Sequence, residues 1–193
     1  MTWLVLGLIL FLGVHSVRIV AEGWRTRTRE RLGEGAWKGL YSLLSLLGFA
    51  LIVWGYGLAR QNPVVLWVPP VATRHGAALL MLISFVLLAA AYVPHNGFKS
   101  RLHHPMVLAV KVWALAHLLA NGNLADALLF GSFLAWAVLD FRSARQRDRA
   151  LGTVYPAAHS GSTAMTVLAG LLAWAAFAFW GHLWLIGVSP LGL

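Results

Sequence analysis

The sequence has no cysteine and only six acidic residues among 193. The missing thiols exclude disulfides, thiol catalysis, iron–sulfur clusters and cysteine-based zinc sites. Charge of either sign is scarce. Asp, Glu, Lys and Arg make up 11% of the chain, against about 25% in soluble domains. Apolar residues make up 60%. A soluble globule of this length needs polar residues to coat its surface, and this chain lacks them. Disorder is excluded as well, because it requires low hydrophobicity. The motifs of hydrolytic and nucleophilic catalysis are also missing. There is no Gly-rich phosphate loop, nucleophile elbow, carboxylate pair or His-x-x-Glu-His pattern. Six acids, mostly in loops, give little material for proton-coupled transport.

What the chain has instead is six apolar runs, at 3–21, about 39–59, 75–93, 104–121, 123–139 and about 163–188. A hydrocarbon core needs roughly 20 helical residues at 1.5 Å each, and each run is of that size. Joined as one helix, the fourth and fifth runs would span about 57 Å, which is too long. Asn121-Gly122-Asn123 divides them: Gly122 is a natural stop, Asn123 a natural N-cap, and Asp126 falls at N3 beside the positive helix end. In lipid only helices or a closed barrel satisfy the backbone, and these runs lack the two-residue alternation of barrel strands. The expected fold is all-α, a polytopic membrane bundle of about six transmembrane helices forming a single domain over 1–193. Positive residues follow the first run rather than precede it, so it reads as a retained span and not a cleaved signal.

Sidedness follows from the cations. Eleven of the 15 Lys and Arg residues fall in loops one, three and five; only Arg60 and Arg74 fall in the others. The positive-inside rule then makes the odd loops cytoplasmic and puts both termini on the outer, periplasmic side. The net charge of +9 is mainly this orientation signal. Attraction to anionic headgroups comes second, and nucleic acid is not an expected partner. Loop two carries Pro63, Pro69 and Pro70 around Trp67, which reads as a stiff surface loop with an interfacial anchor.

Arg18 and Lys111 are the two cations that sidedness leaves unexplained. Ionisable groups at membrane depth are functional candidates by default. Arg18 shares a face with His15 and either snorkels to the interface or partners an anion. Lys111 lies mid-span, seven residues from His104, and wants a carboxylate or an anionic ligand group. Trp113, His117 and Asn121 recur every four residues and share another face of the same helix. His103-His104-Pro105 opens that helix, where capping is the plainer reading. His75 and His182 sit at outer span ends, and His95 and His159 fall in loops. Histidine ligation inside the bundle is the most concrete chemistry left, because haem takes neutral imidazole between facing helices. The alternatives are a non-catalytic membrane helper or a small transporter through the His15, Arg18 and Lys111 interior.

Several stretches carry a family resemblance. They are Gly13-Val14-His15-Ser16-Val17-Arg18, Trp54-Gly55-Tyr56, Thr73-Arg74-His75, His104-Pro105-Met106 and the run from Lys111 to Gly122 with its Trp-x-x-x-His-x-x-x-Asn-Gly element. Together they resemble the NnrU family of bacterial integral membrane proteins over nearly the whole chain. The resemblance implies an inner-membrane location and a link to nitrite and nitric oxide metabolism. It also implies kinship with the haem-dependent zeta-carotene isomerase. By that kinship, haem b would be held by His15 and His117, and Ala114 stands where the isomerase has Cys. Arg18, Lys111, Trp113 and Asn121 are then candidate cofactor contacts. A hydrophobic small molecule and membrane redox partners are the implied associates. Depth along the helices pairs the histidines differently, His117 with His75 and His15 with His104. Those four histidines are the candidate iron ligands.

Overall fold

The computed structural model describes residues 1–191. Six apolar helices run back and forth through one bundle: α1 (Thr2–Val20), α3 (Glu34–Gln61), α4 (Val71–Tyr92), α6 (Pro105–Ala120), α7 (Leu124–Leu151) and a long final helix. The final helix is α8 (Ser160–Ala176), which passes through the π-helical turn Phe177–Gly181 into α9 (His182–Ile186). Short helices α2 (Glu22–Leu32) and α5 (Gly97–Leu102) lie between them. Five helices are long and apolar enough to cross a membrane, and α6 is apolar but only 16 residues long. Their outward faces are strongly apolar: Ile9 and Leu46 are each 66% exposed, as lipid-facing side chains are. The all-α expectation is met.

Two segments expected as loops are more ordered. The arginines after the first run sit on α2, bounded by breaks at Ala21 and at Gly33, whose φ of 82° favours glycine. The fifth run ends at about 139 by hydropathy, yet α7 continues to Leu151. Arg142, Arg145, Arg147 and Arg149 therefore project from a helical extension. Polar residues do not end a helix; the stop is Gly152, in the left-handed conformation at φ 59°. The break at 121–123 is as expected, with a full capping box between Asn123 and Asp126.

Packing relies on small residues, because lipid offers no hydrophobic drive to bring helices together. Nine of the fifteen buried apolar residues are alanine. The α1–α3 seam is the tightest. A Cβ added to Gly55 would lie 2.2 Å from the Leu4 nitrogen, and one added to Gly7 would lie 2.6 Å from that of Ile52. Gly170 of α8 similarly meets Val86 of α4 at 2.6 Å. Leu4, Leu8, Ile52, Ala114, Leu129 and Phe130 form the core where α1, α3, α6 and α7 meet.

Gly55→Ala is expected to lose about 1–3 kcal/mol of stability through overpacking. Gly57→Ala is the control, because nothing lies within 4 Å of its added Cβ. Thermal unfolding of the detergent-purified variants followed by tryptophan fluorescence tests this. Equal melting temperatures for the two variants would remove the close-approach account.

Candidate functional site

A cavity of about 500 Å³ opens between α4, α6 and the α8–α9 helix, at the end of the bundle that carries Arg74. That lies within the range of about 300–1,000 Å³ typical of small-molecule sites. Its deeper wall is apolar, with Met81, Phe85, Trp174 and Phe177. Polar side chains gather toward the helix ends: Arg74 and His75 of α4, His117 and Asn121 of α6, and His182.

The orientation of His117 follows from its helix. Its Nδ1 lies 2.9 Å from the Trp113 carbonyl one turn back. A carbonyl only accepts, so Nδ1 carries the proton, and in the neutral ring Nε2 keeps a free lone pair. A bond from the other ring nitrogen to a carbonyl is what orients metal-bound imidazoles. The ring also stacks on Phe130 at 4.5 Å, which fixes its plane. Asn121 donates from Nδ2 to the His117 carbonyl at 2.9 Å, closing the helix end. On the far wall, His182 Nδ1 donates to the Val188 carbonyl at 2.6 Å. Among the described residues no group of three His, Asp or Glu side chains is arranged to hold a bare metal ion.

His117 and His75 therefore line one cavity, the pairing that depth suggested. His15 is not in its lining. It stacks on Phe11 at 4.2 Å and meets the edge of Trp136 at 6.0 Å. Its Nδ1 donates to the Phe11 carbonyl at 2.7 Å, the same one-turn-back bond as in His117. His15 meets α7 at Trp136 and His117 meets it at Phe130. Six residues of helix is an axial offset of about 9 Å. The rings of Phe11, Phe133 and Trp113 stand in a row between the two histidines. Trp113 is part of that packed wall and is not in the lining.

The other candidates have local partners. Arg18 reaches forward to Glu22 at 3.6 Å with its side chain 54% exposed, so it serves the interface. Lys111 places Nζ 4.4 Å from the Phe141 ring centroid; it takes a π face where a carboxylate was sought. His104 does more than begin a helix. It makes no side-chain cap, and its Nε2 bonds Asp148 Oδ2 at 2.8 Å. Tyr155 donates to the same oxygen at 3.0 Å. His103 beside it has φ 71° and ψ −89°, a strained conformation for a non-glycine residue. Its pKa is lowered by burial and then by the Arg145 charge. That of Tyr155 is raised to about 12 by burial and by Asp148.

Sequence reasoning missed how loop two docks at this end of the bundle. The Gly122 carbonyl accepts from the Leu66 and Trp67 nitrogens at 2.8 and 3.1 Å, so loop two docks on the α6–α7 turn. A Cβ on Gly122 would strike the Trp67 carbonyl at 1.9 Å. Trp67 donates from its indole to the Asn121 carbonyl at 3.1 Å. The spacing of Pro63, Trp67 and Pro69 signalled stiffness but not this docking. The hydrogen bond from Tyr56 to buried Asp126 was equally invisible, because the two are 70 residues apart.

Residues 3–190 match the family described as NnrU protein. The chain belongs to the NnrU family. Comparison with curated proteins and with solved structures gives no match. The family match spans every element of the cavity, from α4 through α9, and the α1–α3 seam beside it.

The His103 cluster lies outside the cavity and outside the spans, and its lowered histidine pKa predicts sensitivity to acid. A histidine whose folded pKa is depressed contributes stability that is present above its unfolded value and is lost as pH falls through the folded one. Melting temperature is expected to drop as the pH is lowered below about 6.5, the unperturbed histidine value. His103→Gly, which accepts positive φ, should make that drop shallower. Parallel curves for variant and parent would count against the assignment.

Proposed function

We propose that this NnrU-family protein binds a planar apolar cofactor, haem b, in the cavity between α4, α6 and α8–α9. In this reading His117, together with His75 or His182, would hold the iron. The observation that carries it is the convergence of three imidazoles on one cavity, one of them with its tautomer fixed by the Trp113 carbonyl. The residues suit the group: a neutral Nε2 lone pair, an apolar wall for a ring system and a cation near the opening. Bound haem supplies an iron centre for electron transfer or for coordination of a small diatomic gas. The chain's own residues hold and shield it. Phe130 fixes the His117 ring, and Phe85, Trp174 and Phe177 keep water from the deep end.

The remaining assignments follow the same reading. The protein sits in the bacterial inner membrane, and α6 completes six crossings. The Asp148 end, which carries most of the arginines, faces the cytoplasm, and the cavity opens toward the periplasmic side. The family's name connects the site to nitrite and nitric oxide metabolism, and the carotenoid-isomerising kinship connects it to apolar polyenes.

Absorption spectra of protein purified from haem-replete cells test the proposal. A Soret band is expected, lost in His117→Ala, weakened or shifted in His75→Ala and retained in His15→Ala. A colourless parent protein would remove the haem reading. Loss of the band in both His15→Ala and His117→Ala would restore the pairing by kinship in place of the cavity pairing.

A further inference from the structure

We propose that the ligand of this cavity is an acid-headed amphiphile, and that Arg74 holds its anionic group. The inference rests on the cavity reading above and specifies the chemistry of its occupant.

Among the described residues of the cavity lining Arg74 is the one formal charge, and none is Asp or Glu. The acids at this end of the bundle are otherwise engaged. Asp126 is 3% exposed and takes hydrogen bonds from Tyr56 and from the Asn123 nitrogen and side chain. Arg60, the other cation there, donates to the Ile186 carbonyl at 2.9 Å and lies over the Tyr56 ring. The Arg74 side chain is exposed and makes neither an ion pair nor a hydrogen bond among the described residues. An unpaired guanidinium beside an apolar cavity attracts a carboxylate or phosphate, and its planar fork suits either.

The second observation is polarity along the cavity. On α4 the lining runs from Arg74 and His75 through Met81 to Phe85. Eleven residues of helix make about 16 Å. On the opposite wall it runs from His182 down to Trp174, in the same sense. One end offers a cation and imidazoles, and the other offers only aliphatic and aromatic surface. A neutral polyene would leave the exposed Arg74 to water alone. A small inorganic anion would leave the apolar depth unfilled. A molecule with an acidic head and an apolar body about that long satisfies both ends.

Haemin and its dimethyl ester differ only in the two acid groups, so they isolate the head-group contribution. Binding of each is followed by absorbance for the parent, Arg74→Gln and Arg74→Lys. Haemin is expected to bind the parent more tightly than the ester does. Arg74→Gln should weaken haemin about 10- to 100-fold, the loss of a charge-assisted hydrogen bond, and leave the ester unchanged. Arg74→Lys should recover most of the haemin affinity. Equal effects of Arg74→Gln on acid and ester, or no effect on the acid, would overturn the proposal. If neither porphyrin binds the parent, the haem reading fails while the acid-head inference is still measured. A doxyl-labelled stearic acid and its methyl ester then replace the porphyrins, read by the part of tryptophan quenching that Trp174→Phe abolishes. Acid-over-ester preference that depends on Arg74 supports the inference, and its absence refutes it.

Discussion

A single buried carboxylate organises one end of this bundle. Asp126 lies where no water can solvate it, so each of its oxygens must find a donor or the fold pays several kcal/mol. The Tyr56 hydroxyl reaches it from α3, and the Asn123 backbone and side chain reach it from the α6–α7 turn. The same turn offers the Gly122 carbonyl to loop two and the Asn121 carbonyl to the Trp67 indole. The register of α6 against α7 is therefore set by polar contacts that lipid makes stringent. His117 lies on the last turn of α6, four residues before Asn121, so its place in the cavity follows from this knot.

Much of the fold is legible from one-dimensional signals. Apolar run length found the five long apolar helices and the shorter α6, and Asn121-Gly122-Asn123 located the hairpin because capping chemistry is local. Local signals fail where a partner is remote. The helix of α7 outlasts its apolar run by a dozen residues because arginines are good helix formers, and hydropathy reads depth rather than conformation. Lys111 seemed to need an acid only because aromatic faces cannot be seen as counter-groups before the fold brings Phe141 over it.

The candidate site was half legible. His117 and Asn121 stood out by their spacing, and His75 was reachable by counting depth. Arg74 looked like an ordinary loop cation until α8 and α9 closed a wall opposite it. The kinship pair His15 and His117 shares the one-turn-back hydrogen bond, so the two are alike in local chemistry while lying on opposite sides of a row of aromatic rings. Ala114 is fully buried in the α1–α3–α6–α7 core and not in the cavity lining.

The π-helical turn Phe177–Gly181 determines which way the last helix faces. One extra residue in a turn rotates everything beyond it by about 100°. On an unbroken α-helix His182 would stand about 80° around from Trp174; with the extra residue the two fall within about 20° of each other. The wall opposite α4 thus has two registers joined end to end, each aimed at the same interior. Closing that turn as ordinary α-helix with the sequence unchanged would swing the His182 imidazole about 100° toward the lipid tails, whereas a one-residue deletion within it would remove the surplus residue and leave the imidazole facing inward.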